Sequence, residues 1–458
     1  MAQLYLYNTK TKLKEKFIPI DQKSIKIYIC GPTVYDLIHL GNARSLVVYD
    51  VLYRILSEIY NKENIIYIRN ITDIDDKIIK KANQLGISIK DFTNSTIKEF
   101  HKDHEYLKCL HPSYEPRATD HIEEIISIIK ILLDKKHAYI VDNNVYFNVK
   151  SYSDYYNLSS RDLRNSLHGT RIEEDPKKRN IEDFILWKSS NIDNQVFFNS
   201  PWGNGCPGWH IECSAMSNKY LGKNFDIHGG GIDLIFPHHT NEIAQSICAF
   251  PDSEYANFWV HNGFLTVNGE KMSKSLGNFI KVRELLEKGI PGEVLRFVLL
   301  NTHYRKPLHF RHNLLREAKK NLDYLYGAIK VITKESIFTN NYPKDFMSML
   351  LNDLNTHKAL SYLIQIANKI YKGEVFYSIV LKKCANLLGI LQYSYEEWHK
   401  MNNIEEKKIE LLIQKRKKAK LAKNWELADK IRNDLEKENI FLKDDKEGNT
   451  TWYKNNIP

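Results

Sequence analysis

IKIYICGP, residues 25–32, is a short run of β-branched and aromatic residues closed by a Gly-Pro turn. It reads as a buried strand. A helical pattern follows from Asn42 to about Tyr60, with Val47, Val48, Val51, Leu52, Ile55 and Leu56 on one side. IIYIR at 65–69 reads as a second strand, and Asp75 to Gln84 as a helix with lysines at its polar positions. Strands alternating with helices at these spacings predict a parallel α/β sheet. From Pro116 to about Pro201 the pattern changes to a helix (Asp120 to Asp134), short strands (Tyr139 to Val141, Val145 to Val149) and polar turns, which reads as an insertion. The α/β pattern returns with FDIHGGG at 225–231, a helix opened by Pro237, and FWVHNGF at 258–264. Beyond Pro291 the sequence predicts no strand before the last forty residues. Helical periodicity occupies 293–301, 312–333 and 345–372, a basic helix spans Lys415 to Leu435, and Ile440 to Leu442 can pair with Thr450 to Tyr453.

The chain has 458 residues, enough for about two to four domains. With 43% hydrophobic and 27% charged residues it is an ordinary globular composition, which excludes a disordered or collagen-like chain. An excess of 66 Lys and Arg over 56 Asp and Glu suits a polyanionic partner. The cysteines at 30, 109, 206, 213, 248 and 384 are too few and too scattered for a disulfide scaffold and predict reduced thiols. The first residues lack the pattern of a signal peptide. The most apolar helical stretch, Ile122 to Leu133, is too short and too charged to span a bilayer, so a soluble cytoplasmic protein without membrane contact is expected.

Three groups of residues carry chemistry. His39-Leu40-Gly41-Asn42 follows a strand and opens a helix, where unpaired backbone N–H groups and the helix dipole favour phosphate. Gly41 lets a ligand approach the backbone, and His39 can donate to a phosphate oxygen. Lys271-Met272-Ser273-Lys274-Ser275-Leu276-Gly277 combines two lysines with serines and a glycine, as a polyphosphate-binding loop would, although a solvated turn has the same composition. His238 and Glu242 stand at i and i+4 on a Pro-started helix. With Cys30 and Cys213 they could form a tetrahedral zinc site. The residue types alone equally permit two buried cysteines and an ordinary helix start.

The first two groups together resemble the paired signature of class I aminoacyl-tRNA synthetases. Longer strings narrow the resemblance: CGPTVYD at 30–36, RNITDIDDK at 69–77, GWHIEC at 208–213, DIHGGG at 226–231, FPHH at 236–239 and KNWELAD at 423–429 are similar to those of the cysteinyl-tRNA synthetases. The similarity runs nearly the whole length and is densest in 28–82 and 201–310. It implies an α/β fold with a Rossmann-like parallel-sheet catalytic core split by an inserted subdomain, then a helical-bundle domain and a small C-terminal domain. The implied parts are core halves at 1–115 and 201–290, a connective insertion at 116–200, a tRNA-binding helical domain at 291–400 and an anticodon-binding domain at 401–458. It implies one Zn²⁺ on Cys30, Cys213, His238 and Glu242. It places Thr72, Trp209, His228 and Asp233 in the amino-acid pocket, and Lys274 on ATP. His39, Asn42, Lys271 and Lys274 then serve catalysis, and His39, Gly41, Asn42, Lys271, Ser273 and Lys274 bind the nucleotide. The implied partners are L-cysteine, ATP with Mg²⁺ and tRNA(Cys), and the expected form is a monomer. Lys415, Arg416, Lys417, Lys418 and Lys420 offer phosphate contacts, and Trp425 and Trp452 offer stacking faces. Two positions depart from the family pattern. Asn42 stands where His is frequent, and Cys206 offers a spare thiol seven residues before Cys213.

A zinc site suits the discrimination required. Cysteine and serine differ by sulfur for oxygen, and a pocket shaped only by apolar contacts separates such isosteres by about a hundredfold. A thiol on Zn²⁺ ionises and forms a soft bond, whereas a hydroxyl is a harder and less acidic ligand. Two other readings remain open from sequence: a ligase joining cysteine to a small amine, and an RNA-binding relative without chemistry.

Overall fold

The computed structural model describes residues 3–159, 175–189, 197–272, 278–332, 341–422, 424–437, 440–444 and 450–454. Its centre is a parallel sheet of four strands in the order Tyr255–Asn262, Asn224–Gly231, Ile25–Ile29, Ile65–Arg69. The strands Ile25–Ile29 and Ile65–Arg69 are rich in Ile and Tyr and largely buried, as a sheet covered by helices on either side requires. Helix Leu40–Tyr60 makes the first crossover, with Val47, Val51, Leu52 and Ile55 buried against the sheet.

The chain leaves this sheet after Arg69 and returns at Asn224. Between lies an antiparallel sheet, Ala138–Val141, Asn144–Phe147, Phe184–Ser189 and Gly205–Pro207, whose last strand lies beyond residue 200. It shares a core with helix Ile122–Asp134 and with the core helices Trp209–Leu221 and Thr240–Ala249, through Ile125, Ile129, Trp187, Ile211 and Ala244.

A strand missed in the sequence, Leu308–Phe310, lies parallel to Leu265–Val267, which also pairs antiparallel with Glu270–Lys271. Three residues carry too little periodicity to be read; only the buried-exposed-buried alternation of Leu308, His309 and Phe310 marks them. Helices Gly292–Leu300, His312–Ala328, Lys344–Leu351, Thr356–Tyr371 and Tyr377–Leu387 form a bundle continuous with the main core. The single helical stretch expected over 345–372 breaks at Asp353 and Leu354, whose φ angles are 61° and 51°. There the Asp353 carboxylate accepts from Tyr7 N, Tyr304 Oη and Arg305 Nε.

The tail has its own small core of Ile409, Ile431, Leu435, Ile440 and Leu442. The expected helix over 415–435 is two, Tyr395–Leu421 and Trp425–Lys437, and the expected terminal hairpin forms from Ile440–Asp444 and Thr450–Lys454. Among the described residues no helix is long and apolar enough to cross a membrane.

Candidate active site and metal centre

The helix start at residue 39 is built by its own side chains. His39 caps the helix: its Nδ1 accepts from the backbone N–H of Gly41 (3.0 Å) and Asn42 (3.4 Å), while Asn42 Oδ1 accepts from His39 N (3.2 Å). Since both donors point at Nδ1, the neutral ring carries its proton on Nε2. A Cβ at residue 41 would lie 2.8 Å from His39 Cε1, which explains the glycine. The expectation of unpaired N–H groups here is corrected: Leu40 N donates to Ile280 O, and the next two are held by His39. What this end offers an anion is therefore the helix dipole and the His39 Nε2–H, not free N–H groups.

The donor cluster assembles from four elements. Cys30 ends the strand Ile25–Ile29, Cys213 lies in helix Trp209–Leu221, and His238 and Glu242 come from the irregular turn and helix that begin at Ile235. Their ligand atoms all lie within 4.8 Å of one another. Cys30 Sγ is 3.8 Å from Cys213 Sγ and 3.5 Å from Glu242 Oε1, and His238 Nε2 is 3.1 Å from Glu242 Oε1. A tetrahedral site with Zn–S bonds of about 2.3 Å has S–S edges of about 3.8 Å and N–O edges of about 3.3 Å, so the donors fit a zinc ion. A second group, Cys30, His228, His239 and Glu242, is equally compact but has one thiol, and His228 Nε2 is bonded to Glu242 Oε2. Cys206 belongs to neither group; it sits on the edge strand of the inserted sheet, opposite Lys188.

Neighbours orient these donors. Glu242 presents Oε1 to the cluster because Oε2 is held by His228 Nε2 and Tyr255 Oη, both at 2.9 Å. His238 turns Nε2 inward because its Nδ1 meets His210 Nδ1 at 2.9 Å, and Trp209 stacks on its ring at 4.2 Å. Burial pushes the pKa of His238 down to about 4, so its imidazole is neutral. Burial acts to raise that of Glu242, but His228 and His238 outweigh it and hold the carboxyl below its usual range. Burial raises the pKa of both Cys30 and Cys213, which favours the neutral thiols.

A cavity of about 420 Å³ opens in front of this cluster. Cys30, His39, Gly41, Asn42, Trp209 and Asp233 line it, so Cys30 alone of the four donors faces the space that the helix start also borders.

Residues 16–320 match the family described as "tRNA synthetases class I (C) catalytic domain". The chain is 52% identical to the cysteine–tRNA ligase of Rickettsia felis over 99% of both chains. It is also 52% identical to that of Rickettsia prowazekii, over 99% of this chain and all of the relative. The chain belongs to the cysteine–tRNA ligase family of class I tRNA synthetases. Among solved structures, methionyl-tRNA synthetase from Mycobacterium tuberculosis with methionyl-adenylate superposes with a TM-score of 0.57, covering 80% of this chain and 89% of that one at 14% identity. Leucyl-tRNA synthetase in a ternary complex from Agrobacterium radiobacter gives 0.55 at 11% identity, covering 81% and 84%. At these identities the superpositions speak of fold alone.

Some of the expected site residues stand apart from the cavity. Thr72 and His228 do not line the cavity. Thr72 is buried and donates its hydroxyl to Glu212 Oε2 (2.9 Å), while His228 lies behind Glu242 with its ring stacked on Trp259. Ser273 and Lys274 lie outside the described residues; Lys271 is placed only by its backbone, paired with Thr266. In the tail, Arg416 is buried and donates both Nη groups to Asp444, which also takes Lys420 Nζ at 2.7 Å. That leaves Lys415, Lys417 and Lys418 exposed. Trp425 is 60% exposed, whereas Trp452 packs on the small core. Sequence reading missed Tyr255 and His210, which orient the donors from positions that no spacing rule connects to them.

Proposed function

We propose that the protein attaches L-cysteine to tRNA(Cys) in two steps, using ATP with Mg²⁺ as the nucleotide substrate. The cysteine carboxylate attacks the α-phosphate of ATP, forming cysteinyl-adenylate and releasing pyrophosphate. A terminal ribose hydroxyl of the tRNA then attacks the activated carbonyl and AMP leaves. No side chain serves as a nucleophile. His39 donates Nε2–H to a phosphate oxygen, and Gly41 and Asn42 fix that ring. Lys271, Ser273 and Lys274 supply positive charge and hydrogen bonds to the phosphates as pyrophosphate departs. Asp233 offers a carboxylate to the substrate ammonium group, and Trp209 walls the pocket beside His238. Cys30, Cys213, His238 and Glu242 would hold a Zn²⁺. Such an ion supplies a soft Lewis acid that takes a thiolate in preference to a hydroxyl.

The observation that carries this reading is that a compact two-thiol, one-imidazole, one-carboxylate group meets, through Cys30, the same cavity that His39 lines. In this reading residues 1–115 and 201–290 perform activation, 116–200 connects them, and 291–400 and 401–458 bind tRNA, with the protein acting as a cytoplasmic monomer. Cysteine-dependent exchange of pyrophosphate into ATP, followed by transfer of labelled cysteine to tRNA(Cys), tests it. Exchange without transfer, with labelled cysteine passing to a small amine, would replace it with the small-acceptor ligase. Absence of exchange would leave the RNA-binding relative.

A further inference from the structure

Arg44 lies two residues past Asn42 on the helix that opens at the cavity, and it is fully buried. Among the described residues its acceptors are five main-chain carbonyl oxygens. Nη1 donates to Gly263 O (2.9 Å) and Phe264 O (2.6 Å); Nη2 donates to His303 O (3.2 Å), Tyr304 O (3.2 Å) and Lys306 O (2.5 Å). Burial lowers its pKa only to about 10, so the guanidinium is charged at neutral pH.

A buried cation costs several kcal/mol in desolvation, and it persists where surrounding dipoles recover that cost. Here they come from two segments. Residues 263–264 form the turn after strand Tyr255–Asn262, and Gly263, Phe264 and Leu265 line the cavity. Residues 303–306 lead into strand Leu308–Phe310. The two segments meet backbone to backbone: Gly263 N donates to Tyr304 O, Leu308 N donates to Phe264 O, and a Cβ on Gly263 would lie 2.8 Å from the carbonyl oxygens of Arg305 and Lys306. Five carbonyl oxygens converging in a dry interior repel one another without a central donor. The planar guanidinium fork matches that arrangement, and an ammonium group does not.

We infer that Arg44 is a positioning residue: it registers the 263–265 wall of the cavity against the helix that carries His39, and so sets where the nucleotide sits relative to the His39 ring. The donors Cys213, His238 and Glu242 sit on other elements, helix Trp209–Leu221 and the turn and helix from Ile235, none of which Arg44 bonds. This inference rests on the proposed cysteine activation for its kinetic readout, though not for its structural one.

The test is Arg44→Lys, which keeps the charge and loses the fork. Because the cavity wall shifts, pyrophosphate exchange should slow by about a hundredfold and the KM for ATP should rise. The KM for cysteine should stay within about twofold, since a misplacement confined to one wall leaves the rest of the pocket's binding intact. Zinc content should be unchanged. Hydrogen exchange should quicken at the Gly263 and Leu308 amides and not at those of helix Trp209–Leu221. Wild-type kinetics in a zinc-loaded variant would overturn the inference. Loss of zinc and of the cooperative melt would overturn it too, since Arg44 would then support the fold at large. If the unaltered protein showed no cysteine-dependent exchange, the functional reading would fail, and the amide exchange pattern would still decide whether Arg44 holds the turn.

Discussion

Tyr255→Phe isolates one hydrogen bond behind the donor cluster. The Tyr255 hydroxyl donates to Glu242 Oε2 at 2.9 Å, the oxygen that faces away from Cys30 and His238. Removing it costs little elsewhere: Ser217 Oγ, its other neighbour at 2.9 Å, keeps a bond to Ser214 O. Among the described residues His228 Nε2 then remains alone on Oε2. A hydrogen bond to a charged acceptor contributes about 1.5–3 kcal/mol. At about 1.4 kcal/mol per tenfold, that predicts zinc binding weakened by about ten- to a hundredfold. Groups that orient metal ligands from behind typically contribute the same range, about 10–100-fold, so two separate routes agree. Competition between the protein and a chromophoric chelator for zinc, at fixed pH, measures it. If Tyr255→Phe held zinc as tightly as the unaltered protein, the argument that Oε2 is restrained so that Oε1 can serve the metal would be wrong.

Cys213→Ser should lose zinc and its preference for cysteine over serine, while Cys206→Ser should keep both; metal analysis with exchange assays on each amino acid gives the answer, and the opposite pattern would move the second thiolate to Cys206. Glu115 sits between Arg69 Nη2 (2.7 Å) and His101 Nε2 (2.5 Å). Burial acts to raise its pKa, but these partners bring it down to about 2. A depressed carboxyl contributes stability above its unfolded value of about 4.5 and loses it as pH falls toward 2, here at most about 3 kcal/mol. The stability gap between the unaltered protein and Glu115→Gln should therefore narrow between about pH 5 and pH 3; a gap that stays constant there refutes the pairing. Replacing Lys415, Lys417 and Lys418 together with Gln should spare pyrophosphate exchange and lower the salt slope of tRNA binding by about two to three. An unchanged slope would make that face a solvated surface.

The parallel core was legible because its signals are local. IKIYI and IIYIR are buried on both faces, and His39 with Asn42 supplies a reciprocal cap that starts the intervening helix where the pattern begins. The four donors were legible as residue types in resembling strings, and the fold brings them within 4.8 Å. What the sequence does not show is whatever depends on a distant partner. Thr72 reads as a pocket hydroxyl, yet Glu212, 140 residues away, takes it. Arg416 reads as one of a basic run, yet Asp444 across the tail turns it inward. Arg44 draws no reading, because no sequence pattern shows carbonyl groups converging from 263–264 and 303–306. The break at Asp353 and Leu354 was hidden because the apolar spacing continues through it.

The parallel pairing of Leu265–Val267 with Leu308–Phe310 bears on how this chain can be divided. The natural place to cut, judged by where the α/β pattern gives way to helices, is near Pro291. Such a cut removes one strand of a three-stranded sheet and strips the main-chain partners from Leu265 and Val267, both nearly fully buried in the intact chain. An apolar strand with unpaired N–H and C=O groups is a template for pairing with another molecule. A fragment ending before Leu308 is therefore expected to self-associate and precipitate. One extended past Phe310 carries its own edge cover and should stay in solution.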